Sequence, residues 1–148
     1  MENSNSRWTN TIYIADIGDH NIKILGDGSK LIKEFGRYGQ GPEEFGLIKG
    51  IDVDNNGYII VDEMQRVQLL DKDGHYVKGM KISLGSLVSS VKFGWKGLIY
   101  INNAKEGYLF TVYDRNFNVL KRFGDIYCIG SPWIGIFPIQ KKLVTNGW

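Results

Sequence analysis

Short runs of alternating apolar and polar residues, broken every few positions by glycine, aspartate or asparagine, fill this chain. The clearest stretch is GIDVDNNGYIIVDEMQRVQLLDKDGHYVKGMKI, from Gly50 to Ile82. Its period-two alternation and its β-branched and aromatic residues predict four strands, at Gly50 to Val53, Tyr58 to Val61, Arg66 to Leu70 and Tyr76 to Ile82. Asn56-Gly57 and Asp73-Gly74 stand where tight hairpins need positive φ, so the strands read as one antiparallel meander.

The pattern recurs on both sides. A hydrophobic strand closing on a short polar residue occurs as TIYIAD at Asp16, YIIVD at Asp62, LIYIN at Asn102 and KLVTN at Asn146. The spacing, about 40 to 46 residues, is that of propeller blades, and no segment shows the i, i+3, i+4 period of a helix. After each of the first three comes a second strand (NIKIL, RVQLL, YLFTVY), a polar turn (GDGSK, DKDGH, DRNFN) and a third strand at Leu31 to Phe35, Tyr76 to Ile82 or Val119 to Phe123. Ser86 to Phe93 and Trp133 to Ile139 supply inner strands.

With blade strands lettered a to d from the centre outward, residues 1–10 are a flexible terminus and 11–36 carry b to d of a first blade. Residues 48–82 form a second blade, 86–124 a third, and 133–148 the start of a fourth. The expectation is an all-β chain of four-stranded antiparallel β-propeller blades, about 13 strands in an incomplete ring, an open arc.

FGRYGQGPEEF (Phe35 to Phe45), with the following GIDVDNNGYIIVDEMQRVQLLDKDG, resembles the NHL repeat in three features. These are a glycine-rich d-to-a connection, a strand b ending in Asp and a strand c ending in Asp-x-x-Gly. The chain also resembles the six-bladed propeller proteins of bacterial envelopes, which share the Gly-x-Gly-Pro-x-x-aromatic phrase. The resemblance spans nearly the whole sequence, strongest in the central blade and loosest after Gly124, where YCIGSPWIGIFPIQ lacks the phrase. It implies a six-bladed propeller, of which 13 strands are little more than half, and an envelope or periplasmic location if a leader is missing here.

Hydrophobic residues at 43% and aromatics at 13% suit a globular domain, and 19 glycines against 3 prolines suit many turns. Lys plus Arg number 18 and Asp plus Glu 16; the net charge of +2 gives no strong pull toward nucleic acid. Cys128 is alone, so the chain can close no disulfide on itself. MENSNSRWTN lacks the basic and apolar regions of a secretory signal, and no run reaches the roughly 18 apolar residues of a membrane span.

Asp52-x-Asp54-x-Asn56-Gly57-x5-Glu63 matches the EF-hand calcium pattern, but its β-rich context contradicts the flanking helices that pattern requires. Asp16, Asp62 and Asn102 recur blade after blade, which fits capping of the following turn better than a catalytic carboxylate needed once. His20 and His75 fall in different turns and do not reproduce the several channel histidines by which some NHL-like lyases hold zinc. No nucleophile elbow, Walker phrase or Cys-x-x-Cys pair occurs. No metal and no cofactor is expected.

What remains is the face built from b-to-c turns and d-to-a connections, where Arg37, Tyr38, Gln65, Arg66, Lys105, Tyr127 and Trp133 fall. Arginine and aromatic residues are enriched at interaction hot spots, although Tyr38 and Trp133 could equally seal neighbouring blades. The favoured function is a non-catalytic binding or scaffold module with a protein or glycan partner, able to self-associate through its open blade ends. The alternatives implied by the resemblance are an RNA-binding module or a remnant of a propeller lyase or hydrolase.

Overall fold

The computed structural model describes residues 11–82, 88–103 and 108–125. β1 (Ile12–Asp16), β2 (Asn21–Leu25) and β3 (Leu31–Phe35) form an antiparallel sheet in chain order. Within the glycine-rich connection, β4 (Arg37–Tyr38) and β5 (Glu44–Phe45) pair in parallel. β6 (Ile48–Val53), β7 (Ile59–Glu63), β8 (Arg66–Leu70) and β9 (Tyr76–Lys81) make a four-stranded meander. β10 (Val88–Phe93), β11 (Ile99–Asn103), β12 (Tyr108–Tyr113) and β13 (Val119–Asp125) make another.

The chain is therefore all-β, with open antiparallel sheets arranged as part of a β-propeller, and the described residues contain no α-helix. The described residues hold 13 strands, reached differently from the expected 13. β4 and β5 are two residues each, too short to leave a period-two signal, while the strands expected at Trp133 to Ile139 and Leu143 to Asn146 lie outside the described residues. Strand a of the second blade begins at Ile48, before Gly50, because a register shift between them lets the ladder continue. The third blade has the same irregularity between Val88 and Ser90.

β7 explains why IIV is an unbroken apolar run. Ile59 and Val61 join Ile22, Phe45, Ile48 and Leu70 between the first two blades. Ile60 points the other way, into Val67, Ile82, Val91, Ile99, Ile101 and Tyr113 between the second and third. Alternate side chains point to opposite faces of a strand, and here both faces are covered. Burial of each such isoleucine contributes roughly 1.5–3 kcal/mol.

Five hairpin loops at the end formed by a-to-b and c-to-d turns share one backbone design. In each, the first residue's N–H bonds to the fifth residue's carbonyl and its own carbonyl accepts from the fourth: Gly26 to Lys30, Asp54 to Tyr58, Asp71 to His75, Gly94 to Leu98 and Asp114 to Asn118. Where the first residue is Asp, its Oδ1 also accepts the N–H groups of the third and fifth residues. Only the fourth residue is then left-handed: Gly57 at φ 82°, Gly74 at φ 85° and Phe117 at φ 59°. The positive φ expected at Asn56-Gly57 and Asp73-Gly74 is thus carried by the glycine of each pair. Where the first residue is Gly, with no carboxylate to brace the turn, two successive residues are left-handed, Gly28 and Ser29 or Lys96 and Gly97.

Candidate binding face

The connection from Phe35 to Phe45 brings the chain from the outer strand of one blade to the inner strand of the next, and a polar hub beneath holds it. Gly36 turns the chain at φ 99°, with the ring of the fully buried Phe45 packed where a side chain would stand. Glu63, 3% exposed, accepts from Gly46 N at 2.7 Å, Arg66 Nε at 2.6 Å and Gln68 Nε2 at 2.9 Å. The Arg66 guanidinium reaches from Glu63 to the carbonyls of Gln40 at 2.6 Å, Gly41 at 3.1 Å and Glu44. Gln68, 1% exposed, donates to Glu44 O at 2.9 Å and accepts from Glu43 N at 3.3 Å. A planar guanidinium with five donors suits such a fan of carbonyls.

The residues expected on this face divide into three groups. Arg66 lies under the loop, its donors engaged by the hub. Arg37 and Tyr38 are at the surface, Tyr38 being 72% exposed, so it faces solvent and does not seal blades. Arg37 forks onto Glu44 Oε1 at 3.0 and 2.7 Å. The Gly41 N–H and the Arg37 guanidinium hold the Glu44 carboxyl below its ordinary range. Gln65 is exposed, and its carbonyl accepts from Ile82 N. Lys105, Tyr127 and Trp133 lie outside the described residues.

The structure adds four residues to this face. Tyr38 meets the His20 ring edge-on, with centroids 4.8 Å apart. His20 Nδ1 lies 2.8 Å from Gly46 O, a carbonyl that can only accept, so that nitrogen carries a proton. Next to Gly46, Leu47 is 52% exposed, and its carbonyl accepts from the N–H of Met64, itself 59% exposed. Ile17, 54% exposed, belongs to the same turn as His20. Ile17, Tyr38, Leu47 and Met64 are thus four exposed apolar residues on the turns and connection of two blades, tied together through the His20 ring and the backbone of Gly46 and Leu47. Leu47 follows the glycine-rich phrase and Met64 lies in a polar turn. An apolar residue in a turn was the signal available in sequence.

Asp16 caps its turn as expected, its Oδ1 accepting from Gly18 N and Asp19 N at 3.0 and 3.1 Å. Lys23, bonded to Asp16 Oδ2, is the main cause of a lowered Asp16 pKa. Asp62 departs from that role. β7 runs on to Glu63, so Asp62 sits within the ladder opposite Gly50 and Val67, its carboxylate 3.0 Å from Lys49 Nζ. Burial raises its pKa. The turn after Asn102 lies outside the described residues.

The carboxylates of the calcium-like pattern serve three different partners. Asp52 Oδ2 accepts from Phe93 N at 2.7 Å, and Asp54 caps its own loop while pairing with Arg115. Glu63 centres the hub described above. Two of the three therefore tie the second blade to the third, with Arg115 also stacked over the Tyr58 ring at 4.2 Å.

The fold is similar to solved Bacteroides structures. A protein of Bacteroides fragilis named as exported aligns with TM-score 0.61 and 20% identity, over 78% of this chain and 35% of that one. A protein of unknown function from Bacteroides caccae aligns with TM-score 0.61 and 12% identity, over 77% and 40%. A DUF4221-family member from Bacteroides vulgatus gives 0.55 and 14%, over 81% and 40%. The chain thus spans well under half the length of these structures. No curated protein matches it. Residues 6–134 match the family model described as DUF5128, 6-bladed beta-propeller, and the chain belongs to that family.

Proposed function

We propose that the chain is a non-catalytic binding module of NHL-like propeller type whose partner is a polypeptide. The observation that carries this reading is the exposure of Ile17, Tyr38, Leu47 and Met64, each at least half exposed, on the turns and connection beside a hub whose charges are matched internally. Exposed aliphatic side chains grouped with an aromatic offer contact area to apolar side chains of a protein. A glycan would ask instead for planar rings beside free polar groups, and the guanidinium of the hub is already engaged. Arg37, Tyr38 and Gln65 border the contact, while Arg66 supports it from below. An envelope location accords with the name of the Bacteroides fragilis neighbour.

The test is affinity capture with the full chain from fractions of its own cells, wild type against Leu47→Asp/Met64→Asp, with Lys78→Asp on the outer strand as control. One defined polypeptide should be retained by wild type and control, bind again after purification, and be lost with the double variant. Capture that ignores the double variant, or retention of oligosaccharide or RNA by these residues, would overturn the proposal.

A further inference from the structure

The opposite end of the blades carries a feature that its own repeat identifies as unneeded by the fold. The loops Gly26 to Lys30 and Gly94 to Leu98 have the same closing hydrogen bonds and the same pair of left-handed residues. In the first, the tip is Asp27 and the next residue is Gly28, which meets the left-handed geometry without strain. In the second, those positions hold Trp95 and Lys96, the lysine at φ 57°. The tips of the other three loops are Asn55, Lys72 and Arg115. Trp95 is therefore the one apolar residue among five equivalent tips, and it is 78% exposed.

Two cationic side chains lie around it. Lys96 Nζ lies 4.5 Å from the Trp95 ring centroid, so an ammonium rests on one indole face. The Arg115 guanidinium packs against Gly97 in the same loop, where it is fixed by Asp54 and by the Tyr58 ring. The result is one aromatic plane, one cation on it, and polar loop tips in the neighbouring hairpins.

We infer that the Trp95 hairpin is a subsite for an acidic saccharide, a hexuronate unit whose C–H face lies on the indole face opposite the Lys96 ammonium and whose carboxylate meets that ammonium at the ring edge. A uronate offers both an apolar C–H face and a carboxylate in one unit. A bilayer would require further apolar tips, and Asn55, Lys72 and Arg115 are polar. Single-stranded nucleic acid would require a run of unpaired cations, and Asp54 already neutralises Arg115. This site lies at the other end of the strands from Tyr38, Leu47 and Met64, so either can fail without the other.

The experiment follows the Trp95 indole N–H by NMR in the full chain, assigned with Trp95→Phe, during titration with hexagalacturonate, a hyaluronan hexasaccharide and neutral maltohexaose. At least one uronate should shift that signal saturably while maltohexaose does not. Trp95→Ala should weaken binding about tenfold through loss of the aromatic platform, and Lys96→Gln about threefold at low salt. Both changes are at an exposed tip, so the dispersed spectrum of the remaining chain reports that it stays folded. Absence of a saturable shift with both uronates would overturn the inference. So would Trp95-dependent binding to phosphatidylglycerol vesicles or to oligouridylate in their place.

Discussion

Arg66 Nε donates to Glu63 Oε1 at 2.6 Å across the turn between β7 and β8, and the same guanidinium bonds to the carbonyls of Gln40, Gly41 and Glu44. One side chain thus fastens the inter-blade connection to the second blade. Arg66→Ala would leave Glu63 buried without its cation and those carbonyls without a donor. The expected loss is about 3 kcal/mol. Arg66→Lys should recover less than half, because an ammonium cannot reproduce the fork. Urea unfolding measures both; an Arg66→Ala midpoint within error of wild type would show that the hub is unimportant.

Glycine substitutions should rank by local geometry. Gly28 has φ 67° with open space beside it, so Gly28→Ala should cost about 1 kcal/mol from the left-handed backbone alone. Gly36 has φ 99° with the Phe45 ring against it, so Gly36→Ala should cost about 3 kcal/mol by adding overpacking to strain. Equal melting temperatures for the two variants would contradict this ranking.

Asp54 and Arg115 join loops of adjacent blades. Asp54→Ala should cost about 2 kcal/mol, more than Arg115→Ala, because Asp54 Oδ1 also holds the N–H groups of Asn56 and Tyr58. A double-mutant cycle should give a coupling of about 1 kcal/mol. Strict additivity would mean that the contact does not tie the blades together.

The pH dependence contains opposing contributions. Asp71 and Asp114 are held below the ordinary aspartate value of 3.8, chiefly by the His75 N–H and by the Asn118 side chain. Their contribution is present above that value and is lost as pH falls through the lowered folded pKa. Asp62 has the reverse sign. Burial raises its folded pKa, so stability declines as pH rises from about 3.8 through the raised value. Asp62→Asn should therefore gain stability over wild type between acid and neutral pH, measured by thermal unfolding across that range. A gain that shrinks as pH rises would reverse the assignment.

The blades were legible in sequence because a strand between two packed neighbours must alternate or run apolar, and NIKIL, RVQLL and YLFTVY do so with bounds that the structure keeps. Asp71 and Asp114 were equally legible as turn residues, since a carboxylate bonding to nearby N–H groups is a local event. The sequence by itself determined these short-range features. Only the tertiary structure decided that Asp62 stays in the ladder while Glu63 takes the connection, because one residue more of strand pairing exchanges their faces. It likewise decided that Arg66 is internal while Leu47 and Met64 are exposed. Those outcomes depend on where the loop from Gly39 to Glu44 lies against the next blade, a long-range packing that no local periodicity encodes.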